Sequence, residues 1–406
     1  MQQQGKVGKS LFLDLSIVIP FSILSIMGLV MVFSATSWHL GVAGLSVMSQ
    51  TINQAIWLGL GLVVMFLIYR MKSQALFSPT MARLLMFIVL GLLVLTMLFG
   101  IEVNGAQGWL PTPVGNIQAA EYLKVIIPIY FGVVFTKNQR KIARKDWSDK
   151  LTIFTLPFIQ LILVAAQPDL GNATITMLLI ISLVLVSGIA YRYSYVVLGL
   201  IIGGSIAMIE LILWTEGAII PGPFSYIFTR FEAMATTFQE STFLGAGHQL
   251  AMGYFAFHNG GLFGLGLGNS IQKQGFLPEA HTDFVFAITV EELGLVGGVI
   301  ILGILLFMVS RMYLVAIRAQ RTQNVIIAFG MATMILLSVF VNLGGVLGLI
   351  PSTGVTFPFL SQGGNSLFVF CVAVGIVLNI SADETRLRLE QQVYYEHYQE
   401  MEHQTA

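Results

Sequence analysis

Ten apolar runs of about 16 to 28 residues dominate this chain and leave few folds open to it. They fall near 11–35, 54–70, 82–100, 119–136, 151–166, 173–190, 193–214, 283–310, 324–349 and 365–382. A segment this long and apolar spans a bilayer as a helix, because only a helix or a closed barrel satisfies every backbone polar group without water. With 56% hydrophobic and 10% charged residues and a mean hydropathy of +0.83, a soluble enzyme is excluded. The expected fold is an all-α polytopic membrane protein of about ten transmembrane helices. Residues 1–10 precede the membrane domain at 11–382, and a polar tail occupies 383–406. The first run lacks the short apolar core and small-residue cleavage site of a signal peptide, so it is expected to stay as a span. The pair of runs within 151–190 is divided only by Gln167-Pro168-Asp169.

A formal net charge of zero conceals a strong bias. When loops are assigned alternately to the two sides, one side holds 17 of the 20 Lys and Arg, including Lys137, Arg140, Lys141, Arg144 and Lys145 in one short loop. The positive-inside rule places that side, with both termini, in the cytoplasm, and makes the number of spans even. Lys124, Arg230 and Lys273 are the cations left on the outer side. No nucleic acid is expected as a partner. The single cysteine, Cys371, lies mid-span and reads as a buried structural thiol. The six histidines show no metal-ligand spacing.

The outward loops are poor in Lys and Arg and rich in Gly and Pro. The one at 215–282, between helices 7 and 8, is long enough to be functional, with short amphipathic helices expected between Phe224 and His258. Four outward segments carry the unusual polar residues, and their shared membrane face points to one composite site. They are Asn104 to Lys124, Gln167 to Asn172, the long loop, and Pro351 to Ser366. At the end of the long loop, Leu277-Pro278-Glu279-Ala280-His281-Thr282-Asp283-Phe284 packs three ionisable side chains against a membrane helix, where charge is expensive and marks function. Asp283 suits a helix N-terminus. With Glu279 and His281 nearby and partial burial, it also suits a general base. Glu291 and Glu292, about 12 Å further along the helix and on other faces, read as packing or polar-network residues.

Glu121 and Lys124, three apart on a helix, can pair, either to hold helices in register or to put Lys124 at an anionic group. Gly264-Leu265-Gly266-Leu267-Gly268 lacks the preceding strand of a dinucleotide-binding turn and reads instead as tight turns or close backbone approach. Backbone N–H groups at Gly363-Gly364-Asn365-Ser366 suit a phosphate oxygen, and N-capping by Asn365 or Ser366 is the alternative.

Gly266-Leu267-Gly268-Asn269-Ser270-Ile271-Gln272-Lys273, the stretch Leu277 to Phe284 and Glu291-Glu292-Leu293-Gly294 together resemble the SEDS family (shape, elongation, division and sporulation). Met31 to Ala35, Gln118 to Lys124, Pro168 to Gly171 and Gly354 to Ser366 agree, so the resemblance covers about residues 14–382. The spelling is similar to the cell-division branch of low-GC Gram-positive bacteria, with the elongation branch as second choice. One departure is Gln107-Gly108, where the family often carries basic residues.

The resemblance implies a peptidoglycan glycosyltransferase that polymerises lipid II at the outer face of the cytoplasmic membrane, at the septum, and releases undecaprenyl pyrophosphate. It implies Asp283 as the general base and a dependence on divalent metal, Mg or Mn, whose ligands no spacing here identifies. Its implied partners are a class B penicillin-binding protein and the divisome. Around Asp283, the candidate substrate-binding residues are Glu121, Lys124, Arg230, Lys273, Glu279, His281, Ser361, Gln362, Asn365 and Ser366. The rival readings are a lipid II flippase and a non-catalytic divisome scaffold. Polar residues gathered on one face, instead of lining a route between both, favour the enzyme.

Overall fold

The computed structural model describes residues 12–188 except 104–105, 113–114 and 144–147, isolated positions from 199 to 215, and 225–405 except 244 and 246. Helices α1 (Leu15–Val42), α2 (Ser49–Arg70), α3 (Ser73–Leu76) and α4 (Pro79–Phe99) come first. A short sheet follows, β1 (Ile101–Val103), β2 (Ala106–Leu110) and β3 (Ile117–Gln118). Then come α5 (Ala119–Ala143), α6 (Ser148–Ala166) and α7 (Leu170–Val186). The long loop carries α8 (Tyr226–Ala235), α9 (Glu240–Phe243) and α10 (His248–Gly260), and α11 (Val285–Arg318), α12 (Thr322–Val346) and α13 (Gly364–Thr405) complete the order.

Seven of these helices are long and apolar enough to cross a membrane, among the described residues, and Ile153–Ala166 and Leu170–Val186 are shorter apolar helices. Nine of the ten expected spans therefore have a helix. The tenth, 193–214, lies mainly outside the described residues. The short helices expected in the long loop are present as α8 to α10. An antiparallel three-stranded sheet stands apart from the helical plan, with Trp109 paired to Ile101 on one side and to Gln118 on the other.

Helix ends are fixed by local chemistry. Asp14 caps α1 through the Ser16 amide (3.1 Å), Ser78 caps α4 with Pro79 at its first position, and Asp169 caps α7 through the Asn172 amide (3.1 Å). The Asn379 amide donates to the carbonyls of Ile68 and Met71 (2.6 and 2.8 Å), closing the C-terminus of α2 against α13. Along that contact Gly61 lets the helices approach so closely that a Cβ there would stand 2.8 Å from Cys371 Sγ. Cys371 is accordingly buried and free, as its position in the sequence suggests.

Helix α11 is broken. Gly294 has φ 75° and ψ 172°, so the helical ladder stops and restarts there. Unsatisfied backbone groups are not tolerated inside a membrane protein, and the loop after α10 supplies their partners. Leu265 and Gly266 donate to the carbonyls of Glu291 and Glu292 (2.9 Å each), and the Leu295 and Val296 amides donate to the carbonyls of Gly261 and Leu262 (2.9 and 3.1 Å). The glycine-rich run at 264–268 thus serves close backbone approach.

Gly294→Ala should lower stability by at least about 2 kcal/mol, since a Cβ would adopt an unfavourable φ and meet the Leu262 carbonyl oxygen at 2.2 Å. Thermal unfolding in detergent checks this, with Gly303→Ala on the same helix, where nothing lies within 4 Å, expected to leave the melting temperature nearly unchanged.

Candidate active site

A cavity of about 640 Å³ opens at the end of the bundle where β2, the N-terminus of α5, the start of α7, α8 and the loops before α11 and α13 meet. Asp283 is on its wall, one residue ahead of Phe284 and α11. The turn carrying it is tight: the amides of Thr282 and Phe284 both donate to the Glu279 carbonyl (3.2 and 3.3 Å), and Glu279 takes a left-handed φ of 54°. The Thr282 hydroxyl returns to the Glu279 carboxylate at 2.6 Å.

Two neighbours hold this turn in place. Asn342, a polar residue within apolar α12, donates to the carbonyls of Asp283 and Val355 (2.7 Å each). From the loop before α13, the Ser361 hydroxyl donates to the Thr282 carbonyl (2.6 Å) and accepts from the Phe357 amide (2.7 Å), while the Gln362 amide donates to the His281 carbonyl (2.8 Å). That loop is itself anchored on α2, where Gln54 donates to the Ser361 carbonyl (3.0 Å) and accepts from the Gly363 amide (3.2 Å), and Gln50 accepts from Gln362 (2.5 Å). Asn342 and the loop before α13 therefore fix the backbone that carries the Asp283 carboxyl, and α2 anchors that loop.

Asp283 is half-buried and lines the cavity. Loss of hydration in its recess, then the negative charge of Glu279, push its pKa up to about 7, against the opposing pull of Arg230 and the Thr282 hydrogen bond. Asp283 can therefore exchange a proton near neutrality. His281 is shifted downward, chiefly by burial; Glu279 opposes that shift and His39 adds to it.

The cavity also receives Arg230, which donates to the Ser352 carbonyl, together with Glu121, Glu279, Gln362, Asn365 and Ser366. Asn365 accepts from Tyr122 Oη (3.1 Å) and the Gln118 amide (3.4 Å) and donates to the Asn116 carbonyl (2.7 Å), joining α13 to α5. Ser361 is buried behind the wall, in the support just described. Lys124 is 1% exposed and pairs with Glu121 at 2.8 Å, behind the cavity surface to which Glu121 contributes. Lys273 is elsewhere: its ammonium contacts Glu292 Oε1 (2.7 Å) and Ser34 Oγ (2.8 Å) under the turn. Glu291 takes Asn259 (2.9 Å), the Gln272 amide (3.2 Å) and the Ser270 hydroxyl, which makes the two glutamates members of a polar network.

His281 lines a second cavity, of about 230 Å³, with His39, Gln50 and Lys273; Pro278 and Glu279 border both cavities. The sequence assigned no role to Asn342, nor to the Asp169 carboxylate that holds Gln118 (2.8 Å) and Asn172 (2.9 Å) on the cavity wall. Asn342 was detectable as an amide inside an apolar run, where such groups tie helices together.

Helical spans, a kinked helix and a carboxylate-bearing cavity at one end of the bundle define a multi-pass membrane protein with a site for a polar group presented at the membrane surface. The chain belongs to the FtsW–RodA–SpoVE family of cell cycle proteins, whose profile matches residues 14–386. It is 42% identical over 404 residues to the probable peptidoglycan glycosyltransferase FtsW of Lactococcus lactis subsp. lactis (strain IL1403), covering 94% of this chain and 95% of that one. Its identity to the protein of the same name from Enterococcus hirae is 33% over 383 residues, 93% and 94% of the two chains. Among solved structures it is similar to the Rod shape determining protein RodA of Thermus thermophilus (TM-score 0.65, 26% identity, 92% and 97% covered). It also shares its fold with a chain of a peptidoglycan synthase complex (TM-score 0.68, 24% identity, 92% and 98% covered).

Removing one partner of the buried Glu121–Lys124 pair should cost about 3–5 kcal/mol, because the other charge is then stranded. Lys124→Met should therefore lower the melting temperature sharply, and the double variant Glu121→Gln/Lys124→Met should recover much of the loss. A fall in activity with no change in melting would instead put Lys124 in contact with substrate.

Proposed function

We propose that this protein is a peptidoglycan glycosyltransferase of the cell-division type, polymerising lipid II at the outer face of the cytoplasmic membrane with Asp283 as general base. The observation that carries this reading is the Asp283 carboxyl, with its pKa pushed up to about 7, on the wall of a cavity of about 640 Å³ and on a turn whose backbone is held by α12 and the loop before α13. Such a group accepts the proton of a sugar hydroxyl as that oxygen attacks an anomeric carbon. The new glycosidic C–O bond forms as the bond to the lipid pyrophosphate breaks, and undecaprenyl pyrophosphate leaves. Displacement from the opposite side of the ring inverts the anomeric centre and gives a β-1,4 linkage. The donor arrives already activated, which suits an outer site with no ATP.

Arg230 is the cation lining this cavity, among the described residues, and is positioned to offset charge developing on the pyrophosphate. Lys124 and Lys273 do not line this cavity and are paired with Glu121 and Glu292 instead. Among the described residues no cluster of three His, Cys, Asp or Glu forms a protein-only metal site. Magnesium is commonly held by one or two carboxylates plus substrate phosphates. Glu279, which lines the cavity beside Asp283, would hold Mg or Mn together with substrate phosphates. The metal would supply charge neutralisation at the leaving group. The bias of Lys and Arg supports cytoplasmic termini, and membership of a family of cell cycle proteins is in keeping with action at the septum. A class B penicillin-binding protein is the proposed partner, in keeping with the fold shared with a chain of a peptidoglycan synthase complex.

Asp283→Asn should abolish glycan-strand formation from lipid II by the purified protein with its transpeptidase, and strands formed at the wild-type rate would remove Asp283 as the base. In the native enzyme activity should rise with pH through about 7 as the base loses its proton. Stability should move the other way. Between the ordinary carboxylate value of 3.8 and about 7 the folded state binds more protons than the unfolded one, so stability falls as pH rises across that window. At pH 8 the Asn variant should consequently melt at or above the wild type. Lipid II translocation by the variant in proteoliposomes, without polymerisation by either protein, would favour a flippase.

A further inference from the structure

At the opposite end of the bundle, where α1 begins and α13 leaves the membrane domain, a separate cleft of about 100 Å³ is lined by Asp14, Arg311, Arg318, Glu384 and Arg388. Three guanidinium groups thus face two carboxylates, and both carboxylates are already committed. Glu384, 2% exposed, accepts from the Gln320 and Arg321 amides (2.8 and 3.4 Å) and from Asn324 (2.7 Å), so its charge is absorbed by the N-terminus of α12. Asp14 Oδ1 caps α1 through the Ser16 amide and hydroxyl (3.1 and 2.5 Å), and its other oxygen stands 4.0 Å from Arg311. Arg388 donates to the Arg318 carbonyl at 2.5 Å, which fixes its head over the cleft. Among the described residues neither Arg318 nor Arg388 forms an ion pair.

The cleft is therefore a positively charged recess at the ends of three membrane helices, at headgroup depth. Its volume suits a phosphate group, and planar guanidiniums bind phosphate oxygens in pairs. We propose that this cleft binds the phosphate of an anionic phospholipid of the leaflet that faces the chain termini, the cytoplasmic one by the charge bias of the loops. The bound headgroup bridges α11 and α13, through Arg311, Arg318 and Arg388, at the end remote from Asp283, so the site is independent of the proposed chemistry. Basic recesses between membrane helices are a recurring form of lipid recognition. A diffuse attraction of surface arginines for the membrane makes a different demand, because it counts every nearby cation equally. Arg386 serves as the internal control: it pairs with Glu390 at 2.8 Å and does not line the cleft.

The test titrates short-chain phosphatidylglycerol into micelles of the purified full-length protein and reads retained lipid by native mass spectrometry, with phosphatidylcholine as the neutral lipid. The wild type should retain one phosphatidylglycerol under conditions that strip phosphatidylcholine. Arg318→Gln should bind it about fivefold more weakly and Arg318→Gln/Arg388→Gln about thirtyfold, while Arg386→Gln matches the wild type. Arg318→Gln removes no hydrogen bond made by its side chain among those described, and its melting temperature in phosphatidylcholine micelles should equal that of the wild type. Equal retention of the two lipids, or an Arg386→Gln effect as large as that of the double variant, would overturn the site. Displacement of phosphatidylglycerol by millimolar inorganic phosphate would reassign the cleft to the free anion and overturn the lipid.

Discussion

The interruption of α11 at Gly294 is the constraint on which the rest of the outer half of the molecule depends. A broken helix in a membrane protein leaves carbonyls and amides that no water will satisfy. Here they are taken up by residues 261–266, which commits the polypeptide that follows to a fixed path beside α11. Along that path the Ser270 hydroxyl reaches Glu291 and the Lys273 ammonium reaches Glu292 and Ser34. Three charged side chains are thereby buried with partners, and the chain from 273 to 284 starts from a rigid base.

What stands on that base is the turn at 279–284. Its backbone carbonyls, not its side chains, are the handles: Asn342 holds the carbonyl of Asp283, Ser361 that of Thr282, and Gln362 that of His281. Holding the backbone leaves the carboxyl of Asp283 free to change protonation state without dismantling its support. Burial of that carboxyl, with the charge of Glu279 beside it, raises its pKa.

Much of this was legible in the sequence because its causes are local. Span lengths follow from apolar runs, and nine of the ten runs expected are helices here. The angular offset of Glu291 and Glu292 from Asp283 separated them from the site in advance, and both lie in the network beneath it. The cations were less legible. Lys124, Arg230 and Lys273 are equivalent by topology, yet only Arg230 reaches the cavity surface. Lys124 and Lys273 each meet a glutamate, and no count of charges in a loop tells which cation will be neutralised. Asn342 went unassigned because its role lies in the backbone of another segment.

The sequence alone determined that this chain crosses a membrane many times, which side collects its cations, and that its unusual polar residues gather at one end. These are properties of hydropathy and charge along the chain, and the bilayer sorts them without reference to packing. Only the tertiary structure decided which of those residues share a cavity, which are spent on one another, and that burial pushes the pKa of one carboxyl up to about 7. Those outcomes depend on hydrogen bonds between segments about 60 to 310 residues apart, formed where side chains and backbone have lost their water.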